Sequence, residues 1–366
     1  MTIANDLAAD DAVVPAPAGE PREKKTGSAL GRYLVIRALL IIPTVFILVT
    51  VVFILMRATG DPITAALGGR LPPDQLKQRI HLAGYDRPIL VQYLEYLGNI
   101  VRGNFGTTIS DHLPVTHVLA TYGAATLELA IYALIVAFAL GIPLGRIAAA
   151  RRDRGADAGL RISAVLFYAA PVFFTGLLLK LIFGVWLGWF PTSGRASTRD
   201  LILMKTQGAN TGIYLIDAIS TGKWSVVLDV LSHAVLPAIA LGLLTGGVFL
   251  RLVRTNMIST LGTGYVEAAR SRGVAERRLV RTHAWRPALV PIITVIGLQI
   301  ALLLGGAVLT ETTFEWKGLG FQLVQYINAR DFVAVQGMVA LLAIIVALTN
   351  FIVDVIAALV DPRIRY

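Results

Sequence analysis

The chain lacks cysteine altogether, and charged side chains make up only 15% of its 366 residues. The absence of cysteine excludes disulfide frameworks and thiolate metal sites. With 55% hydrophobic residues and a mean hydropathy of +0.69, the composition also excludes an ordinary soluble globule. We therefore expect an all-α polytopic membrane protein.

Motifs that carry chemistry are missing as well. The chain contains no G-x-x-x-x-G-K-[ST] phosphate loop, no H-E-x-x-H zinc helix and no G-x-S-x-G nucleophile turn. Its five histidines are scattered, and the neighbouring pair His112 and His117 has no third ligand close by. We predict no metal site, no cofactor bound by this chain and no enzymatic activity of the chain by itself.

The net charge of +10 would suggest a nucleic-acid partner if the protein were soluble. Here the basic residues lie beside apolar segments, a distribution typical of residues that determine membrane topology. We therefore expect no nucleic-acid binding, and a lipid bilayer as the surroundings of the chain.

Six apolar segments are long enough to span a bilayer. They cover approximately residues 38–56, 123–147, 162–187, 234–250, 288–309 and 333–360. Residues 1–30 are rich in Ala, Asp, Pro and Glu without apolar periodicity, which predicts a disordered cytoplasmic leader. Residues 31–366 are predicted to form one transmembrane domain.

The distribution of lysine and arginine predicts the orientation. With the N-terminus inside, 20 of the 33 Lys and Arg residues lie in cytoplasmic pieces, against 12 in the longer outer pieces. The positive-inside rule then places both termini and the loop 251–286 in the cytoplasm.

The segment 263–291 of that loop combines dense charge with order signals. Glu267 lies near the start of a predicted helix, Tyr265–Ser271, where a carboxylate meets the positive end of the helix dipole. Gly273 supplies the stop, because glycine accepts the left-handed conformation that ends a helix. A second helix is predicted at Glu276–His283. A helix–Gly–helix at a membrane face is shaped to contact a partner outside the membrane.

Three ionisable residues, Glu128, Lys180 and Asp354, lie within apolar runs, where a charge is unfavourable and usually faces a polar interior. We predict that they line a translocation pathway. For Glu128 and Lys180 the alternative is that they extend to the lipid headgroups. For Asp354 the alternative is an ion pair with a basic residue such as Arg363.

Local patterns predict three further features. Gly242-x-x-x-Gly246 is a small-xxx-small face that lets two helices approach closely. Between the first two spans, a short helix is predicted at Gln75–Ile80 and an amphipathic one at Gln92–Val101. The region 188–232 is predicted to fold back on the membrane surface.

Short motifs extend over nearly the whole chain after Arg32. They comprise Gly60-Asp61-Pro62, Asp86-Arg87-Pro88, Ala125-Thr126-Leu127-Glu128-Leu129, Glu267-Ala268-Ala269-x-x-x-Gly273, Glu311-x-x-Phe314, Gly318-Leu319-Gly320, Arg330-Asp331-Phe332 and Asp361-Pro362-Arg363. In this order and spacing they resemble the permease subunits of ABC importers of the peptide and nickel (DppB/OppB-like) branch, and the fourth resembles their EAA loop.

The resemblance implies the type I importer permease fold with six transmembrane helices, located in a bacterial cytoplasmic membrane. It also implies four kinds of partner: a second homologous permease, two cytoplasmic ATPases that bind ATP and Mg, an extracytoplasmic substrate-binding protein and a peptide substrate. By this analogy the coupling to the ATPase is made by Tyr265, Glu267, Ala268, Ala269, Arg270, Gly273, Val274, Arg277 and His283.

Other hypotheses remain open at this point. Within the same class the cargo could be nickel or another small solute. A stand-alone ion-coupled carrier would need an inverted repeat or a line of membrane carboxylates, and neither is visible. A membrane enzyme would need a clustered catalytic set, which the sequence does not show.

Overall fold

The structure, a computed structural model, describes the backbone of residues 26–360. Side chains at residues 26–30, 33 and 357–360, and at several positions between 290 and 306, lie outside the description. Throughout the described part the regular elements are helical, apart from one isolated bridge between Thr107 and Pro114. The predicted all-α class is confirmed.

Long helices form the body of the molecule. They are α1 (Thr26–Ala58), α5 (Val115–Ala150), α6 (Gly155–Ala169), α10 (Trp224–Leu261), α13 (Trp285–Phe314) and α15 (Phe332–Val360).

Shorter helices connect them. They are α2 (Pro62–Leu67), α3 (Pro73–Leu82), α4 (Ile89–Val101), α7 (Val172–Leu179), α8 (Thr198–Thr206), α9 (Tyr214–Ser220), α11 (Gly264–Ser271), α12 (Glu276–Arg278) and α14 (Leu319–Asn328). Two π-helical turns, Lys180–Trp186 and Leu279–Ala284, continue α7 and α12.

The number of membrane spans differs from the predicted six. Within the described residues, four single helices are long and apolar enough to cross a bilayer, and the α6–α7 pair raises the count to five if it forms one broken span. The fifth predicted segment, 288–309, lies inside α13, which is 30 residues long but has many side chains outside the description. The count of six is therefore not exact.

The third predicted segment, 162–187, is not one straight helix. It belongs to two helical stretches, Gly155–Ala169 and Val172–Trp186, which are bent by 104° relative to each other at Ala170 and Pro171. Proline has no N–H to donate and disfavours the helical conformation of the preceding residue. Ala170 is accordingly extended, with φ −69° and ψ 129°.

Helices α5 and α10 pack face to face through glycines. A Cβ atom on Gly242 would lie 2.7 Å from the carbonyl oxygen of Ala133, and one on Gly141 would lie 2.7 Å from that of Gly246. The predicted small-residue face at Gly242 and Gly246 is confirmed, and its partner is α5. The contact buries alanine and leucine side chains such as Ala133 and Leu241 completely or nearly so.

Two ends of the bundle can now be distinguished. We call the end with residues 151–154 and 262–284 the α11 end, and the end with residues 59–114, 187–223 and 315–331 the far end.

At the far end, α3 and α4 contain the two helices predicted before the second span. Tyr93 and Tyr96 of α4 pack against the ring of Phe53 on α1.

The first helix extends further towards the N-terminus than the first predicted apolar segment, 38–56. Helix α1 begins at Thr26, five residues before the predicted start of the domain at residue 31. Residues 1–25 of the predicted leader, and the motif Asp361-Pro362-Arg363, lie outside the described residues.

Candidate functional site

The candidate coupling segment forms a short helix, as predicted. Helix α11 spans Gly264–Ser271, one residue longer than expected, and Glu267 lies in its first turn. Gly273 follows with φ +79°, the left-handed conformation that most side chains disfavour. The amide of Val274 donates to the carbonyl oxygen of Ala269 at 3.2 Å, which closes the end of the helix.

An ion pair spans the turn after α11. The guanidinium of Arg270 donates to both carboxylate oxygens of Glu276 at 3.2 and 3.0 Å. The same contact holds the pKa of Glu276 below its usual range. Although both side chains are substantially exposed, the pair joins the last turn of α11 to the first of α12.

The second predicted helix, Glu276–His283, is present but does not end at His283. Helix α12 passes through the π-helical turn directly into α13. The hydroxyl of Tyr265 donates to the carbonyl oxygen of His283 at 3.3 Å, so α11 lies against this turn. A continuous helical path therefore runs from residue 276 to residue 314.

The segment has a buried side and an exposed side. Val266 of α11 and Leu279 and Ala284 of the π-helical turn have no exposed surface. Most predicted coupling residues are exposed: Tyr265, Glu267, Ala268, Arg270, Gly273 and Arg277. Ala269, Val274 and His283 are partly buried. Six of the nine predicted coupling residues are therefore exposed at the α11 end.

Polar contacts attach this end of the bundle to its long helices. The guanidinium of Arg254 on α10 donates to both oxygens of the fully buried Asp157 on α6, at 2.6 and 2.8 Å. Arg146 of α5 lies over the ring of Trp285 at the start of α13, 4.8 Å from its centroid. Sequence reasoning missed both contacts, because their partners are far apart in the chain.

The structure places the three predicted pathway residues in different surroundings. Glu128 is 2% exposed and forms a short ion pair with Arg195 from the segment between α7 and α8. Its carboxylate also accepts hydrogen bonds from the Tyr132 hydroxyl at 3.0 Å and the Leu215 amide at 2.9 Å. The alternative that Glu128 extends to the lipid headgroups is wrong, because its carboxylate is enclosed by protein.

Arg195 is the residue that sequence reasoning missed here. Its guanidinium lies over the rings of Tyr214 and Trp316, 3.6 and 5.3 Å from their centroids, and donates to the carbonyl oxygen of Gly212 at 2.8 Å. It occurs in a loop without periodicity, so no local pattern indicated that it would be buried.

Lys180 and Asp354 are partly buried and lie on different elements. The ammonium of Lys180 donates to the carbonyl oxygen of Thr313 at 2.8 Å. Asp354 of α15 pairs with Arg37 of α1 at 3.3 Å, whereas Arg363 lies outside the described residues. The structure does not bring Glu128, Lys180 and Asp354 together in this chain, and their role in a pathway stays a prediction.

Several of the short motifs meet at the far end. Thr126 donates to the fully buried carboxylate of Glu311 at 2.6 Å and accepts from the amide of Leu319 at 2.8 Å. A Cβ atom on Gly318 would lie 2.4 Å from the same carboxylate. The motifs around residues 126, 311 and 318 therefore form one junction of α5, α13 and α14.

Asp331 forms a second junction. Its carboxylate accepts from the amides of Ile109 and Ser110 at 2.6 and 2.8 Å, and from the Ala334 amide in the first turn of α15 at 3.0 Å. In the described part of the chain, no three His, Cys, Asp or Glu side chains are grouped closely enough to hold a metal ion.

Comparison with known proteins agrees with this architecture. Residues 141–366 match the family described as binding-protein-dependent transport system inner membrane component, and residues 30–120 match the N-terminal region of such membrane components.

Curated relatives cover nearly the whole chain. The chain is 40% identical to the di/tripeptide transport system permease protein DppB of Pseudomonas aeruginosa, over 89% of this chain and 96% of that protein. It is 38% identical to the dipeptide transport system permease protein DppB of Escherichia coli K12, with the same coverage. It is 33% identical to the oligopeptide transport system permease protein AppB of Bacillus subtilis, over 92% of this chain and 100% of that protein.

The first match alone covers more than half of the chain, and the alignments with these relatives cover 89–92% of it. Together with the helical membrane fold and the exposed α11 loop, they show that the chain belongs to the family of binding-protein-dependent transport system inner membrane components, the permease subunits of ABC importers.

Proposed function

We propose that this chain is one permease subunit of an ATP-driven importer for di- and oligopeptides, and that the surface formed by α11 and the turn after it contacts an ATPase subunit. The names of the relatives support peptide as the cargo. The observation that carries the coupling proposal is the exposed, hydrogen-bonded α11 helix fixed to the bundle by buried Val266 and Leu279.

The connection between α11 and the bundle supports a mechanical role. Helix α11 lies against the turn that leads without a break into α13, and α13 packs on α5, α10 and α15. A short helix held in this way transmits a rigid-body movement, which a flexible loop would dissipate. Movement of an attached ATPase would then tilt α13 against the α5–α10 pair.

The remaining parts of the transporter follow from this proposal. Positive-inside counting supports a cytoplasmic α11 end and an extracytoplasmic far end. The chain would pair with a second, similar permease, and two ATPases would bind ATP and Mg at the α11 end. A substrate-binding protein would deliver peptide at the far end, where α2–α4, α8, α9 and α14 lie.

ATP-dependent dipeptide uptake by the assembled transporter tests the coupling surface. We expect Glu267→Ala and Gly273→Val to abolish uptake, because the first alters the exposed face of α11 and the second strains the φ +79° turn. Gly155→Ala, at the start of α6 and outside the proposed surface, is the control, since a Cβ atom there meets nothing within 4 Å and the residue does not need a positive φ. Normal uptake by both variants at wild-type membrane levels would contradict the assignment.

A further inference from the structure

A half-open cavity of about 160 Å³ lies at the far end, where the last turn of α1 meets α4, the 104–106 segment and the start of α15. The polar residues that line it include Arg57, Tyr85, Gln92, Tyr96, Asn99 and Gln336. It is separate from the α11 surface and from Glu128, Lys180 and Asp354, and the proposed coupling makes no use of it.

The cation in this cavity is incompletely paired. The guanidinium of Arg57 lies over the rings of Phe53 and Tyr85, 5.2 and 4.5 Å from their centroids. Its Nε and Nη1 atoms are buried and have no hydrogen-bond partner among the described residues. Aromatic faces offset part of the desolvation of a guanidinium, but its N–H groups still need acceptors.

The neighbouring carboxylates are already engaged. Glu95, which also lines the cavity, pairs with Arg87 at 2.5 Å. Asp61, four residues after Arg57, accepts from the amide of Thr64 at 2.8 Å as the N-cap of α2. Neither carboxylate pairs with Nε or Nη1 of Arg57, so these two donors have no acceptor in the described part of the chain.

Gln92 sets a second requirement for a ligand of this cavity, a hydrogen-bond donor. It is 8% exposed, and its Nε2 donates to the carbonyl oxygens of Tyr85 and Arg87 at 3.1 and 2.7 Å, which fixes the orientation of the amide. Its Oε1 is buried and has no donor among the described residues. A fitting ligand therefore offers an anionic acceptor to Arg57 and an N–H donor to Gln92.

We propose that this cavity binds the carboxylate of an amino-acid residue, with Arg57 as the cation and Gln92 Oε1 as the acceptor for the adjacent amide N–H. A single negative charge balances one guanidinium, whereas a dianionic phosphate would also meet Glu95 at the rim. A cavity of about 150 Å³ holds about six non-hydrogen atoms, so the NH–CH2–COO⁻ part of one residue fits and a whole oligopeptide does not.

Two sources could present such a group. One is a free acid or the C-terminus of a small peptide. The other is an acidic or C-terminal residue of a protein docked at the far end, which rests on the proposed function because that protein would be the substrate-binding partner.

Thermal unfolding of the full chain in lipid nanodiscs tests the site directly. We expect N-acetylglycine, which carries both groups, to raise the unfolding midpoint saturably. Acetate should act more weakly, and the uncharged N-acetylglycinamide should have no effect, all at matched chloride concentration. Equal responses to N-acetylglycine and N-acetylglycinamide, or no response to N-acetylglycine, would overturn the proposal.

Variants assign the effect to the cavity. Arg57→Met should weaken N-acetylglycine binding by at least about tenfold, since a hydrogen bond to a charged group is lost. Asn99→Asp places a competing carboxylate in the lining at an exposed position and should do the same without disturbing the fold. Arg70→Met, at an exposed arginine outside the lining, is the control. Unchanged binding in Arg57→Met and Asn99→Asp would refute the assignment.

A second measurement distinguishes the sources. The affinity of the assembled transporter for its substrate-binding protein should fall by about tenfold in Arg57→Met if that protein supplies the carboxylate. An unchanged affinity, with N-acetylglycine binding lost, assigns the site to a free acid or peptide. If the wild-type transporter binds no such protein, the proposed function fails while the nanodisc result still decides the cavity.

Discussion

At the far end, individual buried carboxylates connect separate elements through hydrogen bonds. Glu128, Glu311 and Asp331 each accept at least two hydrogen bonds from donors outside their own helical turn. In an apolar setting such groups are stable only when they are paired and fully hydrogen-bonded. They therefore act as fixed joints between the spans and the connecting segments.

Replacing Glu128 should show how much its ion pair with Arg195 contributes to the free energy of unfolding. Glu128→Gln leaves Arg195 buried without its ionic partner, and we expect unfolding to require about 3–5 kcal/mol less free energy. Glu95→Gln is the matched control, because its pair with Arg87 is about half exposed and should matter by less than about 1 kcal/mol. Denaturation of the purified chain in detergent measures both.

A double replacement distinguishes the net contribution of the Glu128–Arg195 ion pair to stability from the cost of leaving one of the two charges buried without a partner. Glu128→Met combined with Arg195→Met removes both ions and should recover most of the lost stability, since neither charge is left unpaired. A double variant as unstable as the sum of the two single variants would contradict this explanation.

The turn after α11 should respond to pH through Glu276. Because Arg270 lowers the pKa of Glu276 in the folded chain, the pair contributes stability above the ordinary pKa of 4.5 and loses it as the pH falls through the lowered value. We expect amide exchange at residues 270–276, corrected for intrinsic rates, to be constant from pH 8 to about pH 5 and faster below the ordinary pKa.

Glu276→Gln is the control for that measurement. It should exchange slightly faster than wild type at neutral pH and show no further acid-induced change, because it has no proton to gain. A wild-type turn that keeps full protection below pH 3 would show that the ion pair does not hold it, since about pH 3 lies well under the ordinary pKa of a glutamate.

At the scale of elements, the α5–α10 contact depends on the absence of side chains at particular glycines. At Gly242 an added Cβ would lie 2.7 Å from the Ala133 carbonyl oxygen and 2.8 Å from Val136 Cβ. At Gly246, one turn later, the nearest atom would be Ala137 Cα at 3.5 Å, an ordinary contact. The two positions of one motif thus have different steric demands.

This difference predicts different outcomes for the same substitution. Gly242→Ala should force the helices apart and destabilise the chain by about 1–3 kcal/mol, as overpacking does. Gly246→Ala should be neutral or slightly stabilising, because alanine favours helix more than glycine. Parallel unfolding measurements on the two variants compare them, and equal effects would show that the helices can separate at Gly242 without strain.

Elements also differ in how far their form follows from local sequence. Gly273 ended α11 where expected, because a left-handed residue after a helix is a local requirement. Pro171 was equally visible, but the 104° bend there depends on how α6 and α7 pack on α10. The segment predicted as one span, 162–187, consequently belongs to two helices and the π-helical turn that follows them.

At the scale of the whole molecule, the chain has the features of one part of an assembly. The surface proposed to contact an ATPase is exposed, and large apolar side chains remain exposed along α1, α6 and α7, where lipid or a second permease would cover them. The described residues contain no group of potential metal ligands, and the sequence contains no phosphate loop.

Reconstitution tests this view of the molecule. The chain alone in proteoliposomes should not accumulate dipeptide under a proton or sodium gradient, because no line of membrane carboxylates is available to couple an ion. With a second permease, the ATPases and the substrate-binding protein it should accumulate dipeptide only when ATP is supplied. Gradient-driven accumulation by the isolated chain would overturn the proposed function.

The sequence by itself determined the helical membrane class, the positions of most apolar segments, the α11 helix with its glycine stop, and the family. Each of these depends on composition, on local spacing, or on the order of short motifs along the chain, and none depends on which distant residues meet in the fold.

Only the tertiary structure decided which charges meet. Arg195 lies 67 positions from Glu128, Arg254 lies 97 from Asp157, and Glu311 lies 185 from Thr126. It also decided that Arg57 lines a cavity with its Nε and Nη1 atoms unpaired among the described residues. A buried charge needs a partner, but the folding of distant helices against one another determines which residue provides it.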